Sequence, residues 1–121
     1  MFMPGSRARI WLCTVPTDMR KSFTGLSAQV KRLLGENPVS GELFVFVNRR
    51  GTQMKVLYFD RSGYCIWSKR LEQGQFKVRQ GDEVKRSLNW TELQWLLEGI
   101  EVMDYKQLKR YQHPTGAATS V

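Results

Sequence analysis

The sequence predicts an α+β fold: an antiparallel β-meander of about five short strands packed with two α-helices. Three observations carry that reading. The stretch from Gly41 to Leu71 reads GELFVFV, NRRG, TQMKVLYF, DRSG, YCIWSKRL, three apolar runs separated by two Asx-x-x-Gly turns. Asn or Asp favours the first position of a type I turn and Gly the fourth, and such turns join antiparallel neighbours, often through a bulge at the glycine. Apolar residues at 23, 26, 30, 33 and 34, and again at 93, 96, 97 and 100, recur at helical spacing. The alternative architecture is a small, partly closed β-barrel with helices.

In chain order, Met1 to Ser6 is loose. Arg9 to Thr14 (RIWLCT) reads as a short strand that joins the central sheet. Thr17-Asp18-Met19-Arg20-Lys21 is a polar turn feeding a helix over 22–34, with Ser22 or Asp18 at its start and Gly35 at its end. Pro38 and Gly41 keep residues 36–41 a loop. Beyond the meander, Gln75 to Arg79 alternates as a fourth strand and Val84 to Leu88 as a fifth. Thr91-Glu92-Leu93-Gln94 fits a capping box with Trp90 and Trp95 as a hydrophobic staple, opening a helix over 91–99 that Gly99 ends. Residues 1–112 are read as one domain and 113–121 as a disordered tail.

A bulged form of both turns sets a register. Phe46, Met54 and Arg70 align, as do Phe44, Val56 and Ser68, and Tyr58 with Ile66, on a face expected to be core. The opposite face carries Leu43, Leu57 and Trp67, then Val45, Lys55 and Lys69. A one-residue slip would exchange the faces of a strand. Trp67 and Tyr58 suit base stacking in principle; mid-strand aromatics more often pack in a core.

At 121 residues the chain can bury a core without staples. Cys13 and Cys65 each lie inside an apolar run and read as reduced, buried thiols. Nothing resembles a secretory leader or a membrane-spanning run, so the expected location is the cytoplasm. The single histidine, His113, falls in the tail, and Asp18, Asp60, Glu72 and Glu98 are scattered over turns and caps. The sequence therefore offers no catalytic, metal or cofactor constellation, and no small-molecule ligand is expected.

Charge is the one positive signal. The formal net charge is +8, and residues 1–35 carry six basic side chains against one acidic. A basic balance of this kind suits nucleic acid; a plain solvated surface is the simpler account. The candidate nucleic-acid-binding residues are Arg20, Lys21, Arg49, Arg50, Lys55, Arg61, Lys69 and Arg70. Arg49 and Arg50 occupy a hairpin tip and Arg61 the next turn, where strands would hold guanidinium groups towards phosphates. Lys55 and Lys69, opposed on one face in the expected register, would repel one another and favour an anionic partner.

These motifs together resemble one transposon protein family. Thr17 to Lys21 followed by Phe23 and Gly25-Leu26, Ser40-Gly41 with LFVFVNRRG, MKVLYFD, SKRLEQGQF to Phe76, and LLEGI at Leu96 to Ile100 are similar to the TnpB accessory proteins of insertion sequence 66 class transposons, the second-open-reading-frame type. The resemblance spans residues 7–112. Val78-Arg79, Val39 and Phe59 depart from Trp-Pro, Phe and Trp in the family, as packing substitutions. The resemblance implies a non-enzymatic accessory factor for transposition that binds DNA, the transposase, or both, at the element's ends. The rival from another class is a protein–protein adaptor that binds the transposase without touching DNA. A small nuclease is the weakest reading, for lack of ligands.

Overall fold

The computed structural model describes residues 8–79 and 81–99. The assigned tail 113–121, the basic segment 106–111 and His113 lie outside the described residues. Five strands form one open sheet: β1 (Ile10–Cys13), β2 (Leu43–Val47), β3 (Gln53–Asp60), β4 (Gly63–Arg70) and β5 (Lys85–Leu88), in the order β4-β3-β2-β1-β5. All neighbours are antiparallel except β1 and β2, which run parallel. The open edges rule out the barrel alternative. The segment 75–79, expected as a strand, has no regular secondary structure; it folds back over the tip and buries Phe76.

β2, LFVFV, is buried at every position. That follows from its central place, since both of its faces are covered. One face carries Leu43, Val45, Met54, Val56, Tyr58 and Phe76 against helix α2 (Trp90–Leu97), which contributes Leu93 and Leu96. The other carries Phe44, Phe46, Leu57 and Cys13 against Leu26 of helix α1 (Phe23–Gln29) and Val30 and Leu34 of its continuation. The molecule thus has two half-cores, one on each side of the sheet.

Both hairpins exist where the Asx-x-x-Gly turns place them, but neither contains a bulge, so the expected register is corrected by one residue in each. Val45 pairs with Val56, and Val56 with Trp67. In the first turn the Gly51 amide donates to the Asn48 carbonyl at 3.0 Å, and Asn48 N–H donates to Gln53 O at 3.1 Å, which continues the ladder around a four-residue loop. In the second, Arg61 itself adopts positive φ (58°), and Gly63 stays in the ladder opposite Asp60. The two slips add to two residues between β2 and β4, which keeps the faces of those strands as expected, but they invert β3. Lys55 therefore lies opposite Ser68 and on the α1 face, whereas Lys69 lies opposite Met54 and on the α2 face. The expected repulsion between Lys55 and Lys69 does not arise.

The helices also differ in detail. α1 continues into a π-helical stretch, Val30–Leu34, closed by Gly35 at φ 65°. Ser22 precedes α1 without a side-chain cap. α2 is capped by Asn89 and not by Thr91. Asn89 Oδ1 accepts from Glu92 N–H at 2.8 Å while Glu92 Oε1 accepts from Asn89 N–H at 2.9 Å. Glu92 at the third helical position reaches the amide of residue 89, which completes the reciprocal pair.

Cys13 is buried and Cys65 half-buried, and both are free thiols. They contact opposite half-cores, so the sheet stands between them. No helix among the described residues is long and apolar enough to cross a membrane.

Candidate nucleic-acid interface

The carboxyl ends of the parallel strands β1 and β2 open on one end of the sheet, and three chain segments gather there. The first is the loop leaving β1. Its Thr17-Asp18-Met19-Arg20-Lys21 sequence is a turn built by Asp18: the carbonyl accepts from Lys21 N–H at 3.1 Å and Oδ1 accepts from Arg20 N–H at 2.9 Å. A short acceptor side chain at the first turn position is what makes this closure possible. Arg20 also bonds the same carboxylate through its guanidinium at 2.7 Å, and this hydrogen bonding holds the Asp18 carboxyl at about 2. Thr17 is buried, donates its amide to Val47 O at 2.9 Å, and accepts from Gln29 Nε2 at 2.9 Å, which ties the loop to β2 and α1.

The second segment is the β2–β3 tip. Asn48 Oδ1 accepts from Thr52 N–H at 2.8 Å and Gln53 N–H at 3.0 Å, so the tip is internally braced. Arg49 and Arg50 are exposed upon it. The third is the segment after β4. Phe76 N–H donates to Gly51 O at 2.6 Å and Gln75 Nε2 donates to Arg50 O at 2.8 Å, which seats Lys77 beside the tip. Between β1's end, the tip and residues 75–78 lies an open cleft of about 320 Å³. A second hollow, wider and of about 1020 Å³, joins Asp18 and Arg20 to Arg49 and Arg50.

The structure gathers Arg20, Arg49 and Arg50 at one end, with Arg70 at the same end opposite Gln53, while Lys21 donates its ammonium to Gln29 Oε1 on α1 at 2.8 Å. Arg61 is elsewhere, at the far turn of β3–β4. Arg20 and Arg70 are ion-paired with Asp18 and Glu72, while no ion pair to Arg49, Arg50 or Lys77 occurs among the described residues. Lys55 and Lys69 are engaged otherwise. Lys55 Nζ donates to the Met19 and Lys21 carbonyls at 2.8 and 2.7 Å, and Lys69 Nζ donates to the Leu97 carbonyl at 3.0 Å. Lys85, which sequence reading passed over, does the same for Leu34 O at 2.8 Å and pairs with Glu36. Each of these lysines anchors a segment to the sheet, two of them at a helix's carboxyl end, where unsatisfied carbonyls favour a cation. Tyr58 is core, and Trp67 packs against it.

Lys77 joins this end although the sequence marks it only by its closeness to Lys69-Arg70, since a strand over 75–79 would not fold back to the tip. No cluster of three or more potential metal ligands occurs among the described residues.

The family described as IS66 Orf2 like protein matches residues 8–107 of this chain. The chain belongs to the IS66 Orf2-like family. That membership carries a transposition-associated accessory role, in a family that is not a known enzyme class. Two relatives come from Sinorhizobium fredii (strain NBRC 101917 / NGR234). "Uncharacterized protein y4hO" is 37% identical over 101 residues, spanning 84% of this chain and 88% of the relative. "Uncharacterized protein y4jC" is 31% identical over 120 residues, spanning 98% and 100%. No solved structure matches the IS66 Orf2-like chain. The motif segments of the resemblance map onto the basic end: TDMRK is the Asp18 turn, NRRG the braced tip, and the run to Phe76 the segment locked against it.

Proposed function

We propose that this IS66 Orf2-like chain is a non-enzymatic accessory factor that binds DNA phosphates through the basic end of its sheet. The observation that carries this reading is Arg49 and Arg50. Both are exposed on a braced tip, without an ion pair among the described residues, and flanked by Arg20 and Lys77 from two other segments. Of the acids at this end, Asp18 and Glu72 are already paired, and the exposed Asp82 and Glu83 enter it on the β5 side, beside Thr14. A braced tip loses little backbone freedom on meeting a phosphate, and such contacts position a protein on a duplex without specifying sequence. Binding of this kind weakens steeply with salt, because each neutralised phosphate releases counterions.

The experiment is a salt titration of binding to element-end duplex for the parent and an Arg49→Ala/Arg50→Ala variant. The pair should weaken binding and reduce the slope of log affinity against log salt by about 0.9 per lost contact, hence by roughly two contacts at most. Absence of binding by the parent at low salt would overturn the reading.

A second reading, an adaptor that binds the transposase, is favoured by the apolar residues exposed around α1. Phe23 is 46% exposed and Val15 and Leu33 are each 37% exposed. Scattered apolar exposure is common on monomers, so this observation weighs less than the arginine tip.

A further inference from the structure

We propose that the chain forms a two-fold dimer by antiparallel pairing of the β4 edge with β4 of a second copy. The two ends of the sheet are unlike. β5 is four residues long, whereas β4 presents eight, and no strand among the described residues pairs with its outer side. Long open edges invite pairing, and soluble proteins usually blunt them with proline, a bulge, an inward-pointing charge or lysine on the edge. From Gly63 to Ser68, β4 has no proline, no charge and no break in its ladder with β3; its two cations, Lys69 and Arg70, sit together at one end.

The backbone phase restricts the register, and the greatest overlap of outward residues selects within it. Leu71 N–H donates to Thr52 O at 2.8 Å, just past the end of β4. Residues of an antiparallel edge strand alternate between turning their polar groups inward and outward. Lys69, Trp67 and Cys65 therefore face β3, and Tyr64, Ile66, Ser68 and Arg70 turn their N–H and C=O groups to the open side. A two-fold axis at Trp67 sets all four outward residues against outward residues of the second copy: Tyr64 against Arg70 and Ile66 against Ser68, twice each. The seam then carries on the order of eight backbone hydrogen bonds. Side chains agree with this register. Arg70 meets an aromatic ring, Lys69 meets the neutral Cys65, and Trp67 meets its own symmetry mate, so no like charges are opposed. Sliding the axis to Lys69 would set Lys69 against itself. A two-fold seam is self-complementary by construction, and this strand meets that condition in its charges.

Because paired β4 strands run oppositely, the two Arg49-Arg50 tips would lie at opposite ends of the joined sheet. The dimer itself does not depend on the DNA reading.

The test is sedimentation equilibrium of the full chain at about 100 µM, a concentration at which even a modest homodimer is populated. The expected mass is twice 14.1 kDa. Ser68→Pro removes an outward amide and leaves the ladder to β3 intact, since edge strands tolerate proline on their open side. It should give a monomer with an unchanged circular-dichroism spectrum. If that variant misfolds, a Trp67→Cys/Cys65→Ser chain decides. Opposed residues of this type approach to about 4.5 Å between Cα atoms, within disulfide range. It should cross-link to a dimer on mild oxidation, whereas the parent should not. A monomeric parent, a folded Ser68→Pro dimer, or no cross-link in the double variant overturns the proposal.

Discussion

Gly51 and Phe76 clasp one another across the basic end of the sheet. The Phe76 amide donates to the Gly51 carbonyl at 2.6 Å, and a Cβ placed on Gly51 would lie 2.8 Å from the Phe76 carbonyl. Gly51 also sits at φ 73°, where side chains are strained. This clasp seats residues 75–78 beside the arginine tip and buries the Phe76 ring.

Gly51→Ala should therefore destabilise the fold by roughly 1–3 kcal/mol, from the positive φ and the forced separation of the two backbones. Denaturant unfolding checks the magnitude. Amide shifts confined to 48–52 and 74–78 would confirm that the clasp, and not the core, is what opens.

Leu96 is fully buried in the α2 half-core. Leu96→Ala should cost about 2–5 kcal/mol, as deletions in well-packed cores do. A loss below about 1 kcal/mol in a urea melt would mean that α2 is not seated on the sheet.

Asn89→Ala removes the side-chain half of the capping box and should cost about 0.5–2 kcal/mol. Thr91→Ala, at the position that the sequence pattern favours, should lie within about 0.5 kcal/mol of the parent, because its hydroxyl caps nothing. Paired thermal melts separate the two assignments.

The Asp18 turn should respond to acid. The folded pKa is depressed to about 2 from 3.8, chiefly by the Arg20 side-chain hydrogen bond. A depressed carboxyl adds stability above its unfolded pKa and loses it as pH falls through the folded one. The Arg20 amide should therefore hold its shift near pH 5 and move as pH falls below about 4 towards 2, as followed by NMR. Asp18→Asn should abolish that titration.

Cys65 should react with a thiol reagent before Cys13, since it is half-buried and Cys13 is 2% exposed. Timed native labelling with mass analysis reads the order. Equal rates would show that the α1 half-core opens as readily as the sheet edge.

What the sequence determined by itself was local: the two Asx-x-x-Gly turns, the helical stripes behind Leu26 and Leu93, the strand runs around Phe44 and Val56, and the glycine stop at Gly35. These depend on a few neighbouring residues and on periodicity, so they read off the chain directly. The hairpin register did not, because the unbulged loop after Asn48 and the positive φ at Arg61 together invert β3, and local pattern tolerates either form. Nor did the composition of the site. Arg49 and Arg50 were legible as turn residues, but their company was settled when β1 paired beside β2 and the Gly51–Phe76 clasp folded Lys77 back. Lys55, Lys69 and Lys85 look like any basic residues in sequence. Only the tertiary structure decided that their ammonium groups meet backbone carbonyls, because a carbonyl left over in a turn or at a helix end becomes a partner only once packing brings it within reach of the sheet.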